Sequence, residues 1–317
     1  MTAPRVDIAI VNWNSGPLLA ACLRSIAASD MSRIDQIIVV DNNSTDASAE
    51  LNVPELPLQV VYAGANLGFG RACNVAAGRG RAPYILFLNP DAEVFDKTIS
   101  GVLEEMDRPE NADVAVGGIR LIDREGNTQR HCARFPGWRS LVGEATGLAR
   151  LAPGLFPPVI MREFDHLSSQ DVDHVIGAFY CVRRRVFEQV GGFDEDYFVY
   201  FEDLDLSRRI ADLGLRRRFL ADVSAFHAGG GTSERIKARR LCLAISGRLT
   251  YARKHLSRGS AAAVWSAALL VEPLTRTALA LARGSVAELL ATWQGFAMLY
   301  THLPSLARIS RREASGA

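Results

Sequence analysis

Tyr84-Ile-Leu-Phe-Leu-Asn-Pro-Asp-Ala-Glu93 decides how this chain folds. Its first half is a run of apolar and aromatic residues, the pattern of a strand buried on both faces. The run stops at Asn89, Pro90 and Asp91, so a carboxylate stands where a buried strand leaves its sheet. In open α/β sheets, ligands bind in the crevice outside the carboxyl ends of the strands. A carboxylate there can hold a divalent cation against a phosphate, because hard cations take oxygen ligands and bridge to substrate phosphates. Taken alone, an Asp at a strand end is more often a turn cap. The rest of the chain decides between the two.

Upstream, strand and helix signals alternate. Val6 to Val11 reads as a buried strand, and Pro17 opens a helix with Leu18, Leu19, Cys22, Leu23 and Ile26 at helical spacing. Ile37 to Val40 is a second buried strand and Val60 to Tyr62 a short third. Asn66 to Asn74 turns into another helix before the strand Tyr84 to Leu88. Repeated β-α-β units predict an α/β fold with a mostly parallel central sheet flanked by helices.

Polar residues follow the end of each of these strands: Asn12 and Asn14, Asp41 to Ser44, Asn66 to Arg71, and Asn89 to Asp91. Parallel strands put those ends on one edge, so the four clusters are expected to line one crevice. Gly68 and Gly70 let backbone approach a ligand, the following helix offers free N–H groups to an anion, and Arg71 adds a phosphate fork. A dinucleotide fingerprint fits poorly. Gly64, Gly68 and Gly70 have the wrong spacing for Gly-x-Gly-x-x-Gly and follow the third strand, not the first.

The middle of the chain is less regular. Asp113 to Ile119 reads as a strand and Arg124 to Asn127 as a turn; Arg130 to Pro158, with several prolines, reads as a long, partly mobile loop over the crevice. His131 and His166 have no evident partners. Val175 to Val182 is an apolar strand, Val190 to Asp196 a turn, and Tyr197 to Phe201 leads into an acidic helix start, Glu202 to Asp205. Leu204, Leu206, Ile210 and Leu213 should form that helix's buried face. Acidic residues suit a helix start through the dipole alone, yet Glu202 or Asp203 is also placed to act as a general base. Phe219 to Phe226 returns as a strand to His227 and a Gly-rich loop. His227 could be a metal ligand, a phosphate contact or a structural residue.

Composition bounds these readings. A chain of 317 residues that is 48% hydrophobic can bury a large core, and a net charge of +1 gives no argument for nucleic acid as partner. Cys22, Cys73, Cys132, Cys181 and Cys242 never fall in Cys-x-x-Cys spacing, which predicts reduced thiols in a cytoplasm. The segment Met1 to Arg5 has no signal-peptide character. From Arg235 to Arg258 the basic residues Arg235, Lys237, Arg239, Arg240, Arg248, Arg253, Lys254 and Arg258 meet no acidic residue within that span. Apolar Ile236, Leu241, Leu243, Ile245, Leu249 and Tyr251 are interleaved in a predicted helix. Ala261 to Leu281 is apolar but interrupted by Glu272, Pro273 and Arg276, which argues against a clean membrane span. This C-terminal region suits docking on an anionic membrane surface, or a dimer contact.

Seven pieces together resemble one family: Val11-Asn-Trp-Asn14, Val40-Asp-Asn-Asn-Ser-Thr-Asp46, Asn66-Leu-Gly-Phe-Gly-Arg-Ala-Cys-Asn74, Leu88-Asn-Pro-Asp-Ala92, Gly191-Gly-Phe-Asp-Glu195, Phe201-Glu-Asp-Leu-Asp205 and His227. In this order they are similar to inverting family 2 glycosyltransferases of GT-A fold, in the rhamnosyltransferase-like branch. The resemblance covers residues 6 to 233. It implies a catalytic domain over 1–233, with a nucleotide-sugar half to about 95 and an acceptor half beyond, then a helical region over 234–317. It implies that Asp41 contacts the pyrimidine base and that Asn12, Asn14, Asn66, Gly68, Arg71 and Pro90 are donor-binding. Asp91 and His227 would hold a divalent metal, Mg²⁺ or Mn²⁺, and Asp203, with Glu202 beside it, would be the base. Asn89-Pro90-Asp91 keeps only the last carboxylate of a full Asp-x-Asp.

The expected partners are a nucleotide-diphospho-sugar donor and a glycan or polyprenyl-linked acceptor in cell-surface polysaccharide synthesis, at the cytoplasmic face of a membrane. Thymidine-diphosphate-rhamnose is the expected donor, with uridine-diphosphate-hexose or -galactofuranose as alternatives. A sugar nucleotidyltransferase would carry a Gly- and Lys/Arg-rich loop after the first strand, where this chain has Asn12-Trp-Asn-Ser-Gly16. A non-catalytic sugar-binding module would have no use for Asp203.

Overall fold

A computed structural model describes residues 5–51, 53–229 and 237–309. The chain forms two compact units: one of residues 1–134, 160–195 and 203–232, the other of 135–159, 196–202 and 233–317. The expected domain boundary at 233, together with Arg235 and Ile236, lies outside the described residues.

The first unit is an α/β sandwich. Its strands are β1 (Val6–Asn12), β2 (Ile34–Asp41), β3 (Leu58–Tyr62), β4 (Tyr84–Leu88), β5 (Ala92–Val94), β6 (Val114–Ile122), β7 (Gln170–Asp171), β8 (Phe179–Arg183) and β9 (Arg216–His227). They form one sheet in the order β3-β2-β1-β4-β8-β6-β9-β5, with β7 on β9. β3, β2, β1 and β4 run parallel, as the alternation of elements predicts. Beyond β4 the sheet is mixed: β8 pairs antiparallel with both β4 and β6, while β6 and β9 are parallel.

Every residue of β1 and β4 is buried, which is why both read as continuous apolar runs. Helices α1 (Pro17–Ala27) and, after α2 (Phe69–Ala77), α3 (Thr98–Asp107) pack on one face of the sheet through Leu19, Leu23, Val102 and Leu103. The other face is covered by α2 through Ala72 and Ala76, and by the helices that follow β8 through Phe187, Leu206 and Ile210. Leu213 lies beyond its helix and is 42% exposed, so the predicted apolar face stops at Ile210.

At the edge opposite the polar clusters, Asp7 of β1 is 1% exposed and takes an Arg184 guanidinium at 2.7 Å. That arginine also donates to the carbonyls of Ala82 and Ala77. Gly80 leaves the room, since a Cβ there would lie 2.1 Å from the Asp7 carboxylate.

The second unit is helical. The stretch from Arg130 to Pro158, expected to be loop, contains α4 (Trp138–Thr146) and α5 (Leu148–Leu151). Trp138 to Thr146 is free of proline, buries Leu141 and Ala145 at helical spacing, and stops at Gly147 with φ 80°. After α6 (Arg184–Gln189) and α7 (Glu202–Ala211) come α8 (Lys237–His255), α9 (Arg258–Ser266), α10 (Glu272–Ala282) and α11 (Val286–Leu306). α11 lies close against α8 at Gly295, where a Cβ would meet the Ala238 carbonyl at 2.8 Å.

The basic run of α8 does find acidic partners, drawn from outside its own span. Arg248 is buried in an ion pair with Glu272, which also holds Arg276 at 2.8 Å, and Lys254 meets Asp196 at 2.6 Å. Arg258–Ala282 is long and apolar enough to cross a bilayer by length and composition alone, with 25 residues and a mean hydropathy of 1.2. Glu272 in its middle is satisfied by those two arginines.

Candidate active site

The parallel register sets the carboxyl ends of β1 and β2 level, with Asn12 opposite Asp41. Asn12 is fully buried and spends its amide on Asp41 Oδ1 at 2.9 Å, Ser44 Oγ at 3.1 Å and Ser48 Oγ at 2.9 Å. Its role is therefore behind Asp41, not at the open edge. Asn14, at φ 50°, accepts from the Thr45 N–H at 2.7 Å and ties the first loop to the second. Asp41 is 5% exposed, its other oxygen taking the Ser44 N–H at 3.2 Å.

Asn42 supplies a contact that sequence reasoning did not single out. Its side chain bonds Asn66 Oδ1, the Gly68 carbonyl and the Leu67 N–H, and so fixes the loop entering α2. Gly68 caps α2 at φ 85°, a conformation that favours glycine. Arg71 is 56% exposed and lies 3.4 Å from Glu195.

Asp91 and His227, far apart in sequence, meet because β5 pairs antiparallel with β9, Ala92 opposite His227. Both side chains are 10% exposed, with His227 Nε2 3.4 Å from Asp91 Oδ1. Gln129 sets the imidazole. Its amide N–H donates to the His227 carbonyl at 2.8 Å, so its oxygen is the atom 3.0 Å from Nδ1. Nδ1 thus carries the proton and Nε2 aims a lone pair toward the carboxylate. A carboxylate oxygen facing a pinned imidazole lone pair is a donor set that a divalent cation can complete with phosphate oxygens, and the imidazole suits Mn²⁺ better than Mg²⁺.

Another group with metal-binding residue types does not fit a cation. His131, Cys132 and His166 bring their ligand atoms within 4.8 Å of one another. His166 Nε2, however, already accepts the N–H groups of His131 and Cys132 at 3.2 and 3.0 Å, while its Nδ1 meets the Phe164 carbonyl. These histidines, without partners in the sequence reading, are core residues stacked among Phe164 and Phe219. Burial and the neighbouring His166 lower the His131 pKa to about 3.

Asp203 is the second residue of α7. Predicted strand Val175 to Val182 starts only at Phe179, because Gly177 turns its N–H onto Asp203 Oδ2 at 2.8 Å. Ala178 accepts from the Asn89 N–H at 3.0 Å, so the segment holding Asp203 is also tied to the end of β4 that precedes Asp91. The Asp203 side chain is 18% exposed, whereas Glu202 is 4% exposed. Burial pushes the Asp203 pKa up, but His174 and the N–H groups of Gly177 and Leu204 outweigh it and hold the carboxyl below its ordinary value. Asp203 is therefore a carboxylate at neutral pH, and Oδ1 keeps a lone pair beyond the one that takes the Leu204 N–H.

Comparison with known proteins supplies the family. A model of glycosyl transferase family 2 matches residues 7–191, and one of glycosyl transferase family group 2 matches residues 160–309. An N-acetylglucosaminyl-diphospho-decaprenol L-rhamnosyltransferase of Mycobacterium tuberculosis is 28% identical over 254 residues, covering 74% of this chain and 80% of its own. Rhamnosyltransferase WbbL of Escherichia coli is 27% identical over 232 residues, covering 70% and 82%. Among solved structures, mannosyltransferase PcManGT from Pyrobaculum calidifontis, in complex with GDP-mannose and Mn²⁺, superposes with a TM-score of 0.53 at 21% identity, covering 96% of this chain and 86% of that one. The likeness to that structure bears on the fold.

Proposed function

The chain belongs to glycosyl transferase family 2, and from that premise we propose that it transfers L-rhamnose, with inversion, from thymidine-diphosphate-rhamnose to a polyprenyl-linked or glycan acceptor. The observation that carries the inverting reading is Asp203, an ionised, partly open carboxylate with a lone pair to spare near the strand end that bears Asp91. The donor sugar and acceptor class are supported by the two rhamnosyltransferase relatives, one of them named for a decaprenol-linked acceptor.

Each residue has a part in this reading. Asp41, fixed by Asn12 and Ser44, accepts the imide N–H of the pyrimidine. The 66–71 loop and the start of α2 turn backbone N–H groups to the diphosphate, with Arg71 and Pro90 at its border. Asp91 and His227 would hold Mn²⁺ or Mg²⁺, which when bound supplies positive charge against the leaving diphosphate. Asp203 takes the proton of the acceptor hydroxyl as that oxygen bonds to the anomeric carbon, while the carbon–oxygen bond to the diphosphate breaks on the opposite face. Glu202, the more buried of the pair, is left with a supporting part.

We assign the catalytic domain to residues 1–233 and place the enzyme on the cytoplasmic face of a membrane, with 234–317 as the contact region for membrane or a second copy. Exposed Leu274, Leu281, Val286, Leu290 and Trp293 support that use of α10 and α11. All five cysteines are buried and none is in a disulfide, in keeping with a reducing compartment.

The test is release of thymidine diphosphate from thymidine-diphosphate-rhamnose, with polyprenyl-diphosphate-linked N-acetylglucosamine as acceptor and Mn²⁺ present. Asp203→Asn should lower turnover by about 10²–10⁴-fold with donor binding intact. Wild-type turnover in that variant would remove Asp203 from the reaction.

A further inference from the structure

His174 lies outside every motif singled out above, yet it touches the proposed base. We propose that His174 is a positioning residue for Asp203, fixing through a buried hydrogen-bond chain which carboxylate oxygen is free to react; the proposal rests on the assignment of Asp203 as base. The first two links of that chain are hydrogen bonds, and its last is a longer contact between the imidazole and the carboxylate. Tyr180 OH lies 3.0 Å from Ser207 Oγ, Ser207 Oγ lies 2.9 Å from His174 Nδ1, and His174 Nε2 lies 3.5 Å from Asp203 Oδ2. Tyr180, Ser207 and His174 are each at most 5% exposed, so water does not supply alternative partners.

One assignment of protons satisfies every group. Tyr180 donates to Ser207, Ser207 donates to His174 Nδ1, and the remaining ring proton, on Nε2, faces the carboxylate. His174 is itself held in place, its backbone exchanging N–H···O bonds with Ala133 at 3.1 and 3.0 Å.

The consequence falls on Asp203. Among the described residues Oδ2 takes the Gly177 N–H and faces His174, whereas Oδ1 takes the Leu204 N–H alone. Oδ1 is left as the basic oxygen. Without His174 the Oδ2 anchor loses one of its two partners, and the carboxylate can rotate to exchange its oxygens. Other ionisable groups facing this chain are Arg217 of β9, which donates to the Asp173 and Leu215 carbonyls, and Arg209 of α7, paired with Asp205 at 2.7 Å. His131 lies beyond His174 and stays neutral at the pH of the assay. Both arginines are held by those partners and lie off the carboxylate itself, so a change near the Asp203 carboxyl reports on His174.

The experiment measures thymidine diphosphate release, with the same donor, acceptor and Mn²⁺, as a function of pH for wild type, His174→Ala, His174→Gln and Asp203→Asn. His174→Ala should lower kcat about 10–100-fold, the scale of a misplaced reacting group, with donor KM within about twofold. Its acid limb should move to higher pH, and His174→Gln, whose amide can still donate to Oδ2, should recover most of the loss. In wild-type protein, imidazole ¹⁵N spectroscopy should show His174 protonated at Nε2, a readout independent of any variant's folding. An Nδ1-protonated ring, or an unshifted acid limb and unchanged kcat in His174→Ala beside an inactive Asp203→Asn, overturns the positioning role and leaves the base assignment standing. An Asp203→Asn variant as active as wild type overturns both.

Discussion

Replacing Gln129 with leucine tests how the proposed metal pair is oriented. Gln129 makes two hydrogen bonds to His227, from its amide N–H to the carbonyl at 2.8 Å and from its oxygen to the ring at 3.0 Å. Leucine keeps the bulk and removes both. His227 remains buried at 8% exposure but is then free to place its proton on Nε2, where it faces Asp91 instead of a cation. Losing such an outer partner typically weakens metal binding about 10–100-fold, or about 1.4–2.7 kcal/mol. The assay is titration of Mn²⁺ into protein saturated with thymidine diphosphate, followed by the loss of the free-Mn²⁺ electron paramagnetic resonance signal. Mn²⁺ affinity should be weaker in Gln129→Leu, with a smaller loss in Gln129→Glu, which can still accept from Nδ1. An unchanged Mn²⁺ affinity in Gln129→Leu refutes that role for Gln129.

Three further outcomes follow from other parts of the molecule. Gly177→Ala would set a Cβ 3.1 Å from Asp203 Oδ2, so turnover should drop about tenfold while donor affinity, read by calorimetry, holds. Arg184→Met strands the Asp7 carboxylate at the far edge of the sheet; urea unfolding should show a loss of about 3–5 kcal/mol, with donor binding retained in the folded fraction. His131 is lowered to about 3 when folded but titrates near 6.5 when unfolded, so the unfolded chain binds the extra proton first. Stability should therefore fall as pH drops below about 6.5, by about 1.4 kcal/mol per pH unit from this residue, and His131→Gln should flatten that slope in denaturant titrations at pH 6.5 and 5.

The parts of the fold that were legible share one property: their signal is local. A parallel strand buried on both faces must be apolar along its length, and its end must carry polar loop residues, so β1, β2 and β4 and the crevice edge could be read directly. α4 was hidden by the prolines around it, although Leu141, Ala145 and Gly147 carried a helical signal. The partners of α8 were missed because acidic residues were sought only within its own span, while Glu272 and Asp196 come from elsewhere in the chain.

Site residues divide along the same line. Asp41 and Asp91 stand at strand ends and could be found there. His227 reaches Asp91 only through the β5–β9 pairing, and a three-residue strand such as β5 leaves little trace in sequence. Gln129 and His174 are single polar residues whose importance lies in what they touch, and no spacing pattern marks them; Asn42 stood in the Asp41 to Ser44 cluster, but its contacts with the 66–68 loop could not be read there.

Asp91, on the strand end that organises the fold, is assigned to metal-dependent binding of a sugar nucleotide. Isothermal calorimetry with thymidine-diphosphate-rhamnose, with and without Mn²⁺, on wild type and Asp91→Ala tests it most directly. Binding should strengthen with Mn²⁺ in wild type and lose that dependence in Asp91→Ala. Binding that is the same with or without metal, and the same in both proteins, would contradict that assignment.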